Sequence, residues 1–365
     1  MAIGRSFWQD KRVFLTGHTG FKGGWFALWL NALGAKVYGY ALAPPTQPNL
    51  FSVAQVKTAV VDHAIGDVCD RPALADAMSA AQPDVVFHMA AQPLVRYSYQ
   101  APLETYAVNV LGTAHVLECV RFAPTVRAVV NITTDKCYEN REWCHPYREG
   151  DPLGGHDPYS ASKACAEIVT QSYRASFFDP HGETGSLPAI ATVRAGNVIG
   201  GGDWAEDRLI PDCMRACLAG EPIFLRFPGA IRPWQHVLEP LAGYLMLAQQ
   251  LWTAPARFTQ VKESNGWNFG PDAGGEATVA TVVQEVIDLW GKGELQVDDS
   301  HRHPHEAGIL RLDTTKARTQ LGWRSRWSLS EGLAQTVNWY RAWQQQEDMQ
   351  AYSLKQIAAY QEARQ

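Results

Sequence analysis

Residues 11–23 read KRVFLTGHTGFKG, and this stretch decides the fold class. The apolar run Lys11–Thr16 predicts a buried strand, and Gly23–Leu33 carries apolar residues at helical spacing. Glycines between a first strand and a helix let backbone amides approach a pyrophosphate, which the positive end of the helix also attracts. We therefore predict a dinucleotide site at this turn. Its predicted cofactor contacts are Gly17, Thr19, Gly20, Phe21, Lys22 and Gly23.

The alternation of strand and helix continues along the first half of the chain. Further predicted strands are Lys36–Tyr40, Val60–Ile65, Asp84–Met89, Val126–Thr133 and Ala189–Arg194. Further predicted helices are Arg71–Ala80, Glu104–Phe122 and Asp157–Phe178. Strands that alternate with helices of this length predict an α/β fold of the Rossmann type, a doubly wound parallel sheet covered on both faces.

The rhythm changes after about residue 200, where Pro, Trp and Gly become frequent. This predicts a smaller, discontinuous C-terminal substrate domain at the carboxyl ends of the strands. We expect Leu238–Leu251, as a helix, and Trp267–Gly270, as a strand, to return to the main sheet. The predicted division is 1–195 with about 233–265 for the NAD-binding domain, 196–232 with about 271–340 for the substrate domain, and 341–365 for a polar helical tail. We expect the tail to be solvated or to face another subunit.

Composition and charge exclude several classes of protein. The 365 residues are 46% hydrophobic and 19% charged, as in ordinary globular proteins. A net charge of −5 gives no long-range attraction to nucleic acid or to an anionic membrane. The seven cysteines are scattered and make no zinc-ligand set, so we expect reduced thiols and no metal site. No stretch is long enough to span a bilayer and no signal-type run is present, which favours a cytoplasmic location.

Tyr159 and Lys163 lie four residues apart in a predicted helix, so they share a face. A free tyrosine has a pKa of about 10 and is a poor base at neutral pH. A lysine ammonium and a nicotinamide cation would stabilise the phenolate and let it take a proton from an alcohol. The pair therefore predicts a redox step with a nicotinamide cofactor.

Thr134, Asp135 and Lys136 follow the predicted strand Val126–Thr133 directly. A simple dehydrogenase has no use for an extra acid and an extra base beside the Tyr/Lys pair. Oxidation combined with proton removal and proton delivery predicts dehydration through a transient ketone. The alternative is that Asp135 and Lys136 form a solvated charge pair at a strand end.

Further stretches occur in a fixed order along the chain. They are TGHTGFKGG (16–24), HMAAQPLVR (88–96), NVLGT (109–113), TTDKCYEN (133–140), GGHDPYSASKACA (154–166), RAGNVIG (194–200), RPWQHV (232–237) and RLD (311–313) followed by Lys316. Together they resemble the extended short-chain dehydrogenase/reductase family, and within it the nucleotide-sugar 4,6-dehydratases. The resemblance covers more than half of the chain. It implies NAD as cofactor and CDP-glucose as substrate, and a role in dideoxysugar and O-antigen synthesis.

The resemblance also implies roles for the strand-end residues. Tyr159 takes the proton of the sugar 4-hydroxyl, Thr134 hydrogen-bonds the same oxygen, and Asp135 protonates the departing 6-hydroxyl. Many relatives have a glutamate where this chain has Lys136. A lysine can remove the C5 proton only as a neutral amine, and free lysine has a pKa of about 10.4. The alternative is that Lys136 stabilises the enolate as a cation, and the stereochemistry at C5 stays open.

More cofactor contacts are expected on either side of the glycine turn. Asp67 and Val68 follow the third predicted strand and are placed to touch the adenine, although Asp67 also fits an ordinary turn. The end of the second strand, at 39–44, has no arginine for a 2′-phosphate, which favours NAD over NADP, and no carboxylate for the ribose. The remaining predicted cofactor contacts are Ala90, Ala91, Asn109, Thr133, Tyr159 and Lys163.

A nucleoside diphosphate carries at least two negative charges, so a chain of net charge −5 must hold it with local cations. Arg232 is the strongest candidate because a guanidinium forks onto phosphate oxygens. For any single arginine the alternative is a surface ion pair. His88 is expected to be a satisfied core histidine. The predicted substrate contacts are Gln92, Arg96, Asn197, Arg208, Arg232 and His305.

Two other functions and one assembly question stay open at this point. Another nucleotide-sugar enzyme of the same fold, a GDP-mannose 4,6-dehydratase or a 4-epimerase, is one alternative, but an epimerase has no use for Asp135 and Lys136. A non-enzymatic sensor that binds NAD is the other. The helices 104–122 and 157–178 fit the interface of a homodimer or a dimer of dimers, or equally intramolecular burial. The apolar positions concerned are Val110, Ala114, Leu117, Ala164 and Ile168.

Overall fold

The computed structural model describes residues 3–178, 187–257, 265–272, 275–297 and 308–363. Its strands are β1 (Arg12–Thr16), β2 (Lys36–Ala41), β3 (Asp62–Ile65), β4 (Val85–His88), β5 (Ala128–Ile132), β6 (Ala189–Ala195), β7 (Val198–Ile199), β8 (Ile223–Leu225), β9 (Ile231–Pro233), β10 (Gln235–His236), β11 (Gly266–Phe269), β12 (Glu276–Thr278) and β13 (Leu295–Val297). Its α-helices are α1 (Arg5–Trp8), α2 (Phe21–Ala32), α3 (Leu50–Val53), α4 (Arg71–Ala81), α5 (Val95–Gln100), α6 (Pro102–Tyr106), α7 (Gly112–Arg121), α8 (Pro158–Tyr173), α9 (Leu209–Ala219), α10 (Leu238–Thr253), α11 (Val279–Trp290), α12 (Leu329–Gln344) and α13 (Met349–Glu362).

Seven strands form one parallel sheet in the order β11-β6-β5-β4-β1-β2-β3. The chain adds β2 and β3 on one side of β1, then returns to add β4, β5, β6 and β11 on the other side. The predicted Rossmann-type, doubly wound sheet is confirmed. The reversal of strand order lies between β1 and β4, and such a switch point is where open α/β sheets bind ligands.

Both faces of the sheet are covered, as the apolar strands predicted. In β1, Val13 and Leu15 belong to one apolar core and Phe14 belongs to a second. Because successive strand residues point to opposite faces, the two cores lie on opposite sides of the sheet. The strand ends are therefore the part of the sheet that remains open to a ligand.

The predicted return of the C-terminal half to the main sheet is confirmed. Strand β11 pairs with β6, with Asn268 opposite Arg194, and α10 is buried along most of its length. This strand lies just beyond the returning segment predicted at about 233–265. Three two-stranded sheets complete the C-terminal half, pairing β10 with β7, β12 with β9 and β13 with β8. The exact division into two domains stays a prediction.

The helix predicted at 104–122 is built from several pieces. Helix α6 begins at Pro102, whose fixed φ suits the first helical position, and a π-helical segment, Ala107–Leu111, joins it to α7. The helix predicted at 157–178 is α8, which continues into a π-helical segment at Arg174–Phe178. Hydrophobic periodicity could not predict either π-helical segment, because each is a single five-residue turn within a longer helical pattern.

The expectation that the tail is solvated is wrong, whereas its contact with another subunit stays a prediction. Helix α13 packs against α2, and Tyr360 is fully buried with its ring against Trp29. The Tyr360 hydroxyl donates to the buried carboxylate of Glu239 at 2.7 Å. The tail is polar in composition, but Met349, Ile357 and Tyr360 form a buried stripe that anchors it to the main body.

Three general expectations concern membranes, thiols and metals. Within the described ranges no helix is both long and apolar enough to cross a bilayer. All seven cysteines are free thiols. In the part of the chain that the structure describes, no group of three or more His, Cys, Asp or Glu side chains is arranged to hold a metal ion.

Candidate active site

A cavity of about 1190 Å³ opens at the carboxyl ends of β1, β4, β5 and β6. It lies at the switch point of the sheet, where ligands are expected to bind. The predicted site residues that line it are Phe21, Lys22, Ala91, Arg96, Thr133, Thr134, Asp135, Lys136, Tyr159, Lys163, Asn197, Arg208 and Arg232. Most of the residues singled out in the sequence therefore meet in one place, although they span more than 200 positions of the chain.

The glycine turn after β1 has the geometry of a dinucleotide cradle. Gly17 has a φ of +78°, and a Cβ there would lie 2.8 Å from the backbone nitrogen of Ala90. A Cβ on Gly23 would lie 2.1 Å from the Gly17 carbonyl oxygen. Helix α2 starts after Gly20 with no side chain capping its first amides. Uncapped amides at a helix N-terminus suit a pyrophosphate, so the residues present fit a dinucleotide.

The side chains predicted to contact the adenosine part of the cofactor already have partners within the protein. One carboxylate oxygen of Asp67 accepts from the Cys69 backbone at 2.8 Å, which is the ordinary turn that the sequence left open. The side chain of Val68 lies in the core rather than at the surface. The Thr19 hydroxyl donates to the Leu42 carbonyl at 2.8 Å and ties the glycine turn to the end of β2. Contacts of these residues with an adenosine stay predictions.

Asn109 and Gln92 are buried next to the cavity and are joined by hydrogen bonds. The Asn109 amide accepts from the Gln92 backbone at 2.9 Å and donates to the Ser162 hydroxyl at 2.9 Å. The Gln92 side chain donates to Thr105 and to the Leu94 carbonyl, and it accepts from the Leu94 amide. The prediction that Gln92 contacts the substrate therefore needs correction, because Gln92 is buried and both N–H groups of its side chain are bonded inside the protein.

Asp135–Cys137 form a short 3-10 turn shortly after β5, and Thr134 is its N-cap residue. The Thr134 hydroxyl donates to one oxygen of Asp135 at 3.0 Å, and it accepts from the Lys136 backbone at 3.3 Å. Asp135 is only 1% exposed, and its second carboxylate oxygen has no hydrogen-bond partner in the described structure. Burial raises the pKa of Asp135, which favours a carboxyl group that carries a proton.

Tyr159 and Lys163 lie on the buried face of α8, next to the end of β5. Burial raises the pKa of Tyr159 to about 12, against a hydrogen bond with Thr134 and the charge of Arg208, which lower it. The Lys163 ammonium donates to the Ile132 carbonyl at 3.2 Å. Burial also lowers the pKa of Lys163 to about 8. Both groups are thus held where the charged form is costly unless a ligand charge compensates it.

Two lysines besides Lys163 line the cavity. Lys136 is half-buried beside Asp135. The Lys22 ammonium donates to the Tyr244 hydroxyl at 3.3 Å, and burial lowers the pKa of Lys22 to about 7, with Lys163 and Arg208 adding to this shift. The sequence placed Lys22 in the cofactor turn, but it did not identify Tyr244, which lies in the largely apolar helix α10.

A buried ion pair anchors the catalytic helix, and the sequence analysis missed it. Glu167 is 5% exposed and accepts two hydrogen bonds from Arg194 on β6, at 2.9 and 2.8 Å. It also accepts from the hydroxyls of Thr133 and Thr192. The only local signal is the four-residue spacing from Lys163, which puts Glu167 on the same face of the helix.

The arginines predicted to contact the substrate differ in their surroundings. Arg232 is 6% exposed and donates to the Ile231 and Gly308 carbonyls at 3.0 and 3.3 Å. Arg208 pairs with Asp203 at 2.8 Å, and Arg96 pairs with Asp207 at 2.7 Å. The ion-pair alternative therefore holds for these two arginines. Their guanidinium groups nevertheless line the cavity.

Three further residues complete the comparison with the sequence. The buried side-chain oxygen of Asn197 has no hydrogen-bond partner in the described structure, so an acceptor is free at the cavity wall. His305 lies outside the described residues. His88 is a satisfied core histidine, as expected, because its ring nitrogens lie 2.8 and 3.3 Å from the hydroxyls of Thr16 and Thr113.

The chain is similar in sequence to known nucleotide-sugar enzymes. The family model described as GDP-mannose 4,6 dehydratase matches residues 14–336. A CDP-glucose 4,6-dehydratase of Salmonella typhimurium is 51% identical over 361 residues, covering 99% of each chain. A dTDP-glucose 4,6-dehydratase of Xanthomonas campestris is 26% identical, covering 94% of this chain and 98% of the relative.

Solved structures share the fold at lower sequence identity. A UDP-glucose 4-epimerase of Stenotrophomonas maltophila, with bound NAD and a formylated UDP-arabinopyranose, superimposes with a TM-score of 0.79 at 20% identity. It covers 92% of this chain and is itself fully covered. A dTDP-glucose 4,6-dehydratase of Bacillus anthracis in complex with NAD gives a TM-score of 0.74 at 21% identity, over 93% of this chain and 99% of the other.

Proposed function

This chain belongs to the GDP-mannose 4,6-dehydratase family, and we propose that it is an NAD-dependent hydro-lyase that converts CDP-D-glucose to CDP-4-keto-6-deoxy-D-glucose. The observation that carries the reaction type is a buried acid, Asp135, beside Tyr159 in one cavity. The choice of CDP-glucose is supported by the 51% identity to the Salmonella enzyme over nearly the whole chain.

NAD is the proposed cofactor, and the glycine turn is its proposed cradle. The backbone amides after Gly17 and Gly20 would hold the pyrophosphate, and Lys163 would hold the nicotinamide ribose. When bound, NAD supplies the redox chemistry, taking a hydride from C4 of the sugar and returning it to C6. A nicotinamide cation bound beside Lys163 would help Tyr159 to lose its proton.

Three residues at the end of β5 and on α8 perform the proposed proton transfers. The Tyr159 phenolate takes the proton of the 4-hydroxyl, and the Thr134 hydroxyl steadies the same oxygen. Asp135, whose pKa is raised by burial, gives its proton to the departing 6-hydroxyl, so that water leaves. Its unpartnered oxygen supports this assignment because an acid must present a free O–H to its substrate.

Lys136 is the proposed base for the C5 proton, with enolate stabilisation as a cation as the alternative role. Substitution with arginine separates them, because arginine keeps the positive charge but cannot act as a neutral base. If Lys136→Arg loses exchange of the C5 proton with solvent, Lys136 is the base. If the variant keeps that exchange, Lys136 acts through its charge.

Arg232 is the proposed main partner of the substrate pyrophosphate. It is a buried cation at the cavity wall, and it already faces carbonyl oxygens that a phosphate can outcompete by its charge. Arg208 and Asn197 are the proposed secondary contacts on the same wall.

Incubation of the purified protein with NAD and with CDP-, dTDP-, GDP- or UDP-linked sugars tests the proposal. We expect only CDP-glucose to yield a 4-keto product, which is detected by its ultraviolet absorbance in alkali. Turnover of another nucleotide sugar in preference would overturn the substrate assignment. Formation of an epimer without a keto product would instead favour a 4-epimerase.

A homodimer is the proposed assembly, formed by the outer faces of α6 and α8. Leu103 on α6, Leu111 on the π-helical segment that follows it and Ile168 on α8 are exposed by 83%, 56% and 54%. Exposed aliphatic side chains of this kind mark a candidate interaction surface. The apolar positions predicted from the sequence for this interface need correction, because Leu117 and Ala164 are buried within the monomer. Ile168→Glu should shift the protein toward monomer in sedimentation velocity experiments, and an unchanged distribution would argue against this face. A cytoplasmic location and a role in O-antigen synthesis stay predictions from the sequence.

A further inference from the structure

The proposed dehydration leaves the protein with a proton in the wrong place. In the elimination, the electron pair of the C5–H bond forms the C5–C6 double bond, and the electron pair of the C6–O bond leaves with the oxygen. When the hydride then adds to C6, the electron pair of the double bond returns to C5, and C5 takes back a proton from the base. At the end of the reaction, the cofactor is therefore oxidised again and the C5 base is unprotonated again, as at the start. Tyr159, however, has gained the 4-hydroxyl proton, and Asp135 has lost one to water. A second turnover requires one proton to move from Tyr159 to Asp135.

The two groups are poorly placed to exchange that proton with solvent directly. Tyr159 is 9% exposed and Asp135 is 1% exposed. The Thr134 hydroxyl lies next to both groups, because it donates to Asp135 at 3.0 Å and is close enough to the Tyr159 phenol to lower the pKa of that phenol. A hydroxyl both donates and accepts, so it can pass a proton on while keeping one of its own.

We propose that the Thr134 hydroxyl is a proton relay that resets the enzyme after each turnover by carrying the proton of the Tyr159 phenol to the Asp135 carboxylate. This inference rests on the proposed dehydratase function. The phenol gives its proton to the Thr134 oxygen as the Thr134 proton passes to the nearer oxygen of Asp135. The products are a phenolate and a neutral carboxyl, and the total number of protons is unchanged.

The second oxygen of Asp135 completes the cycle. It has no partner in the described structure, while the first oxygen receives the Thr134 proton. A half-turn of the carboxyl group about its Cβ–Cγ bond exchanges the two oxygens and presents the new proton to the cavity. Burial, which raises the pKa of Asp135, helps the carboxyl to keep that proton until a substrate arrives.

A comparison of Thr134→Val with Thr134→Ser tests the relay in the NAD-bound enzyme with CDP-glucose. Valine keeps the branched shape but removes the hydroxyl, whereas serine keeps the hydroxyl. The measurement is the ratio of the steady-state rate to the single-turnover rate with enzyme in excess. We expect similar ratios for wild type and Thr134→Ser, and a ratio at least tenfold lower for Thr134→Val. Imidazole buffer should then raise only the steady-state rate of Thr134→Val.

Three results would count against the relay. An unchanged ratio in Thr134→Val would mean that resetting does not use this hydroxyl. An equal drop in both variants would assign the slow step to product release. Absence of any 4-keto product from the wild type would overturn the proposed function itself, and the relay with it. Matched unfolding temperatures and NAD affinities ensure that the variants are folded and loaded.

Discussion

Replacement of Asp135 by asparagine isolates the acid that distinguishes a dehydratase from an epimerase. Asparagine has nearly the same shape and can still accept the Thr134 hydroxyl at the position that Asp135 uses, 3.0 Å away. It cannot deliver a proton to the 6-hydroxyl. General acid catalysis contributes about 10²–10⁴-fold, so kcat for dehydration should fall by that factor, or roughly 3 to 5 kcal/mol in the barrier.

The partial reactions of Asp135→Asn show where the loss occurs. Oxidation at C4 depends on Tyr159 and not on Asp135, so reduced cofactor should accumulate after mixing with substrate and be visible in the nicotinamide absorbance. The folded state should be no less stable, because the substitution removes a buried carboxylate of raised pKa. Asp70→Asn is the matched control, since Asp70 only caps α4 and asparagine caps equally well. Dehydration within threefold of wild type in Asp135→Asn would refute the reasoning.

Three further changes test the scaffold around the site. Glu167→Gln should destabilise the fold by roughly 3 kcal/mol or more in denaturant unfolding, because it leaves the buried guanidinium of Arg194 without its counter-charge; an effect below 1 kcal/mol would contradict this. Burial raises the folded-state pKa of Glu239 from 4.5 to about 7. The contribution of Glu239 to the free energy of unfolding is therefore fully present below pH 4.5 and is lost as the pH rises to 7. The free energy of unfolding should fall by up to about 1.4 kcal/mol per pH unit in this range, and this pH dependence should vanish in Glu239→Gln. Gly23→Ala should weaken NAD binding at least tenfold in a fluorescence titration, because its Cβ would lie 2.1 Å from a carbonyl oxygen of the same turn, whereas Gly150→Ala meets no atom and should bind normally.

The parts of the fold that depend on local signals could be predicted from the sequence. Strand β1, the glycine turn and helix α2 follow within two residues of their predicted positions, since an apolar run and three glycines specify them locally. Helix α13 was misjudged because its buried stripe has meaning only against α2 and Glu239, more than 100 residues earlier in the chain. Composition describes a segment by itself, and burial depends on what the segment meets.

The candidate site divides in the same way. Tyr159 and Lys163 could be predicted because helical spacing puts them on one face, and Thr134 to Lys136 because they follow a buried strand. Two contacts could not be predicted because each joins distant parts of the chain. Lys22 and Tyr244 are 222 positions apart, and Glu167 and Arg194 are 27 apart on different elements.

One face of α8 carries both the proposed catalytic side chains and the buried glutamate that fixes the helix in place. Tyr159, Lys163 and Glu167 follow one another at four-residue intervals, so the same stripe carries two cavity-lining groups and then the buried anchor. Glu167 accepts from Thr133, the residue directly before the relay hydroxyl of Thr134. The distance between the phenol and the strand end is therefore set by a buried hydrogen bond and an ion pair one turn from Lys163. A site built on rigid elements holds its reacting groups more tightly than one built on loops. Loosening this anchor should consequently slow the proton transfers more than it weakens binding of the nucleotide sugar.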